Sequence, residues 1–85
     1  MKQFNYTIKD EVGIHARPAG MLAKTAKGFQ SEILIEKGGK TVNATKLMML
    51  MSMGIKCGDT VTVTVTGEAE EAAASELQDF FVANL

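Results

Sequence analysis

The residues best suited to chemistry lie in one short run, Gly13-Ile14-His15-Ala16-Arg17-Pro18. His15 is the only histidine in the chain. Its imidazole is a nucleophile that works near neutral pH, with one ring nitrogen free to attack and the other open to a positioning hydrogen bond. From Ala16 onward the sequence takes a helical period, which puts His15 at the cap position. The first N–H groups of a helix lack internal partners and point outward along its axis, and the dipole adds roughly half a positive charge there. A phosphoryl group on the His15 ring would meet the N–H groups of Ala16 and Arg17, and the Arg17 guanidinium could pair with its oxygens. Gly13 permits a sharp turn into this position, and Pro18, tolerated in a first turn, fixes the backbone behind it. Together these residues make an anion site beside a nucleophile. The P–N bond of a phosphohistidine is labile, which suits a relay. The spacing alone favours an ordinary residue, since a single His near a helix start more often serves as a cap or a surface side chain.

The elements that must position this run follow from periodicity. Phe4, Tyr6 and Ile8 alternate with Asn5, Thr7 and Lys9 as in a half-buried strand, and Asp10-Glu11-Val12-Gly13 breaks it. Ala19, Leu22, Ala23 and Ala26 share one face of a helix that begins at Ala16, with Lys24 and Lys27 outward and Gly28 as its stop. Ile33-Leu34-Ile35 reads as a second strand, Gly38-Gly39 as a turn and Thr41-Val42-Asn43 as a third strand. Asn43 or Thr45 is expected to cap a short helix from about Lys46 to Met53, stopped by Gly54. Gly58-Asp59 is another turn. Thr60 to Thr66 alternates Thr with Val61, Val63 and Val65, the clearest strand in the chain. Gly67 ends it, and Glu68, Glu70 and Glu71 open a last helix whose core face is Ala69, Ala73, Leu77 and either Phe80 or Phe81. The order βαββαβα predicts a two-layer α+β domain, with the helices on one side of an antiparallel sheet and the Thr face of the fourth strand toward water.

Composition bounds what such a domain can do. The 85 residues, 1–85, make a single domain with a thin core, so chemistry belongs at its surface. A net charge of −1 offers no basic face for nucleic acid. The lone Cys57 cannot form an internal disulfide, which suits a reducing compartment, and with one His it cannot build a Cys/His zinc site. Neither a metal nor a cofactor is expected. The longest apolar run, Leu47 to Met51, is far too short to span a bilayer, and the N-terminus has no apolar run of signal-peptide length, so a cytoplasmic protein without membrane insertion is expected.

The short helix is unusual in its methionines. Met48, Met49, Met51 and Met53 lie in it beside Leu47 and Leu50. A helix in a two-layer domain buries one face, so some of these side chains must be exposed. Flexible thioethers on a surface suit docking to several partners, although core packing is their usual fate.

Gly13-Ile14-His15-Ala16-Arg17-Pro18-Ala19 resembles the active-site signature of the HPr family, the histidine-containing phosphocarriers of the bacterial sugar phosphotransferase system. The length, the element order, the Gly54 stop after the Met-rich helix and the Gly67-led final helix resemble the family as well, so the similarity spans the chain. The resemblance implies an open-faced β-sandwich, a four-stranded antiparallel sheet with three helices on one face. It implies phosphorylation of His15 at Nδ1 by enzyme I, charged from phosphoenolpyruvate, and onward transfer to the IIA domains of sugar permeases. Arg17 matches the family's phosphate-assisting arginine. Leu47, Met48 and Met51 match a docking patch, with Lys24 and Lys27 adding charge steering. Gly20, which weakens the first helix by about 1 kcal/mol relative to Ala, would allow close approach of a partner. On this view the protein is a monomer and a stoichiometric carrier rather than an enzyme.

Two departures bear on that implication. Lys46 stands where many members carry a serine phosphorylated by a regulatory kinase, so regulation of that kind is expected to be absent. Thr45 and Ser52, the nearby hydroxyls, are better explained as a helix cap and a polar helix position. Val12 occupies a position that is often small and polar in the family. The remaining alternatives are a regulatory docking module of the same fold and a carrier of a nitrogen-related branch.

Overall fold

Alternation of apolar and polar residues sorts the strands onto one sheet with two unlike faces. The computed structural model describes residues 1–85. It contains β1 (Lys2–Thr7), α1 (Ala16–Lys27), β2 (Ser31–Lys37), β3 (Lys40–Asn43), α2 (Leu47–Ser52), β4 (Thr60–Gly67) and α3 (Glu70–Asn84). The four strands form one antiparallel sheet in the order β1-β4-β2-β3, and this architecture matches the expected open-faced sandwich. Val61, Val63 and Val65 of β4 and Ile33 and Ile35 of β2 are fully buried beneath the helices. The opposite face is a polar ladder. Gln3 donates to Thr64, Thr62 donates to Asn5, and Thr7 and Thr60 pair through their hydroxyls at 2.9 Å. That face needs no cover because its side chains hydrogen-bond across strands and to water.

The helices close the core. Ala19, Leu22, Ala23 and Ala26 of α1 are buried, as their spacing predicts, and Lys24 and Lys27 are exposed. In α3 the core face is Ala73, Leu77 and Phe81. Phe81, not Phe80, is the central ring. Phe4 and Tyr6 approach it edge-on at 5.8 and 5.4 Å between centroids, a geometry that aromatic quadrupoles favour. No polar or charged residue is buried, so every side chain able to do chemistry lies at or near the surface.

Several boundaries differ from the sequence expectation. β1 ends at Thr7, because Ile8 leaves the ladder to donate to Asp59 and Lys9 and Asp10 donate to the Leu85 main-chain oxygen at 2.6 and 2.8 Å. Gly28 does stop α1, but with φ −75° in the right-handed region, its N–H folding back onto the Thr25 oxygen and the Phe29 N–H onto the Ala26 oxygen. The capping of α2 also differs. The Asn43 side-chain oxygen accepts from both the N–H and the hydroxyl of Thr45, at 2.9 and 2.7 Å, closing an Asx turn before the helix. The N-cap is Lys46, which makes no side-chain cap bond. The Gly38-Gly39 turn has φ +57° and +86°, the mirror-image hairpin turn that glycine pairs favour. No helix is long and apolar enough to cross a membrane.

Candidate functional site

The turn into α1 is built from a contact that only glycine allows. Gly13 has φ +79°, and a Cβ there would lie 2.3 Å from the Ile55 carbonyl oxygen and 2.7 Å from Lys56 Cα. The next residue, Ile14, donates its N–H to that same Ile55 oxygen at 3.1 Å and buries its side chain. The chain thus reaches His15 anchored from below, and His15 becomes the N-cap residue with extended backbone, φ −114° and ψ −170°. Its main-chain oxygen receives the first helical bond, from Ala19 at 2.9 Å. Its ring makes no capping hydrogen bond and is exposed.

That leaves the helix end open. The Ala16 and Arg17 N–H groups have no partner in the chain, and Pro18, third in the helix and buried, contributes no N–H. Two main-chain donors therefore face outward beside the ring, with the positive end of the dipole behind them. Arg17 is exposed and free of any ion pair. His15, Arg17, Pro18 and Met21 line one open depression of about 160 Å³, together with Asp10, Ala83 and Asn84. The arrangement can hold a tetrahedral anion next to a nucleophilic ring without enclosing it.

The loop under the site has its own clamp. Lys37, at the end of β2, donates to the Gly54 oxygen at 3.1 Å and pairs with the Asp59 carboxylate at 2.8 Å. Asp59 also accepts the Lys56 N–H at 2.8 Å. The Lys37 hydrogen bond first, and the Lys56 N–H second, hold the Asp59 carboxyl below its ordinary value of 3.8. This loop carries Ile55, so the clamp and the Gly13–Ile14 turn are parts of one support.

The other sequence candidates lie outside the residues that line the depression. Gly20 is half-buried in α1, and a Cβ there would meet nothing within 4 Å. Leu47, Met48 and Met51 are 39%, 73% and 38% exposed on α2, whereas Leu50 is fully buried. Met49, not singled out from the sequence, is exposed too, and α1 packs directly against α2. Lys46 is exposed at the start of α2. Cys57 is exposed in the loop before β4. Asp10, Met21, Ala83 and Asn84 were missed as neighbours of His15. Ala83 and Asn84 stand at the opposite end of the sequence and carry no motif, so only the fold brings them there.

The family model described as the phosphorylation site of the HPr component of the phosphotransferase system matches residues 2–83. The chain belongs to the HPr family. It is 43% identical over 79 residues to phosphocarrier protein HPr of Mycoplasma genitalium, covering 92% of this chain and 90% of that one. It is similar in structure to HPr of Thermoanaerobacter tengcongensis, with a TM-score of 0.93 at 40% identity over 98% of this chain and 93% of that one. One chain of a dimeric HPr structure from that organism superposes with a TM-score of 0.77 at 40% identity over 98% of this chain and 95% of that one. As an HPr, the chain is a phosphocarrier of the phosphotransferase system, the system of sugar uptake that works through phosphohistidine.

Proposed function

We propose that His15 is the residue that carries the phosphoryl group, and that it acts between enzyme I and the IIA domains of sugar permeases in the cytoplasm. The observation that carries this reading is the exposed His15 ring at the cap of α1, unbonded and beside the two unpartnered N–H groups of Ala16 and Arg17. In the step, the Nδ1 lone pair of His15 forms a new P–N bond as the P–N bond of the donor's phosphohistidine breaks. The electron pair of the broken bond returns to the donor ring, and phosphorus keeps its three terminal oxygens. The Ala16 and Arg17 N–H groups and the Arg17 guanidinium stabilise the negative oxygens during and after the exchange. Transfer onward is the same exchange in reverse, on an acceptor histidine.

The protein is regenerated rather than turning over a substrate of its own, so it acts as a stoichiometric carrier and not as an enzyme. One chain supplies the ring, both N–H groups and the guanidinium, so the monomer is the working unit. Leu47, Met48 and Met51 give partners a deformable apolar landing beside the site. Lys24 and Lys27 steer acidic partners toward it, and Gly20 leaves room for their approach. Lys46 in place of a hydroxyl at the start of α2 leaves no acceptor there for a regulatory kinase.

The test is to mix the protein with enzyme I and radiolabelled phosphoenolpyruvate. Label that is acid-labile, base-stable and absent from His15→Ala is the expected result. Label persisting in His15→Ala would place the phosphoryl group elsewhere and end the proposal.

A further inference from the structure

Asp10 lines the same depression as His15 and Arg17. Both ends of the residue are fixed. Its Oδ1 accepts the Val12 N–H at 2.9 Å, closing an Asx turn, and its own N–H donates to the Leu85 oxygen at 2.8 Å. Neither Asp10 nor Arg17 belongs to any of the three ion pairs of the molecule. The depression therefore holds one clamped negative side chain and one exposed positive side chain that no ion pair ties down, and neither is neutralised elsewhere.

We propose that Asp10 sets how tightly the phosphoryl group is held, its clamped carboxylate opposing the group's negative charge while Arg17 and the Ala16 and Arg17 N–H groups favour it. This rests on the assignment of His15 as the carrier. Arg17 can swing to the phosphoryl oxygens, whereas Asp10 cannot withdraw, because the Val12 and Leu85 hydrogen bonds hold it. The site thereby keeps a counterweight built into the turn that leads to it. A relay benefits from such a counterweight, since a group bound too well to one member is not passed to the next. The effect is Coulombic across a depression open to water, so it is moderate and weakened by salt. The transfer exchanges one P–N bond for another, and no co-reactant is involved.

The experiment measures the equilibrium of phosphoryl transfer from phosphorylated enzyme I to wild type, Asp10→Asn and Asp10→Ala. Asn retains an Oδ1 for the Val12 N–H and loses only the charge, whereas Ala loses both. Both variants should shift the equilibrium toward the phosphorylated carrier by about three- to tenfold, and the shift should shrink in about 1 M salt. An unchanged equilibrium in both variants overturns the proposal. A shift in Ala alone would make the residue a structural turn, and a shift in Asn alone would report a new amide donor, so either also overturns it. His15→Ala run in parallel should take no label. If it does, the assignment of His15 falls, and the role of Asp10 with it.

Discussion

The backbone at Gly13 does more for the site than any side chain except those that react. The carbonyl of Ile55 occupies the space a Cβ would need, 2.3 Å away, and φ is +79°. Replacing Gly13 with Ala therefore forces both a left-handed strain and a backbone displacement, and the residue displaced is the acceptor of the Ile14 N–H. Gly13→Ala should lose about 2–4 kcal/mol of stability, readable as a lower urea midpoint, together with slower labelling by enzyme I. A variant of unchanged midpoint would show that the loop yields without cost. The sequence identified the need for a turn at Gly13, because a glycine before a helix is a local signal. It could not identify the Ile55 contact, which joins residues far apart along the chain. Asp10 illustrates the same limit. It reads only as part of the segment that breaks a strand until the fold brings it into the depression that Arg17 lines.

At the scale of elements, the helices were the most legible parts, because period and burial agree. Every apolar position on the predicted face of α1 is buried. The entry to α2 was not legible, since Asn43, Thr45 and Lys46 lie within the window over which cap positions are ambiguous. The Asn43 side-chain oxygen took the nearest donors, those of Thr45, and α2 was left to begin after a residue that cannot cap it. Gly20 gives the sharpest prediction for α1. It is a helix-interior glycine with open space where its Cβ would go, so Gly20→Ala should stabilise the protein by about 0.5–1 kcal/mol and raise Tm by roughly 2–8 °C. If partners do approach at Gly20, the same change slows phosphoryl transfer, so stability and transfer move in opposite senses. Faster or equal transfer removes Gly20 from the docking surface. On α2, Met48 is 73% exposed, so Met48→Asp should leave the urea midpoint within about 0.5 kcal/mol of wild type while raising the KM for transfer from enzyme I. An unchanged KM would take Met48 out of the docking surface.

At the scale of the molecule, the antiparallel sheet and its water-facing threonines were implied by the valine alternation of β4, but the order β1-β4-β2-β3 was not. Strand neighbours are chosen by packing across the whole core, and no residue announces its partner strand. The same holds for the Lys37–Asp59 clamp, which ties the end of β2 to the loop beneath the site. A small domain with a thin core unfolds as one unit, so a clamp at its edge is read in the global transition. The sign of its pH dependence follows from the charge. Asp59 is held below its ordinary 3.8 when folded, so the folded chain releases this proton more readily than the unfolded one. Its contribution to stability is fully present above about pH 4 and is lost as the pH falls through the folded value. Asp59→Asn lacks that contribution and keeps a carbonyl oxygen for the Lys56 N–H. Wild type should therefore exceed Asp59→Asn in urea midpoint by a constant margin from about pH 7 to pH 5, with the margin closing at lower pH. A margin independent of pH down to about pH 2 would mean that the amide substitution acts by shape and that the Lys37 ion pair contributes nothing to folding.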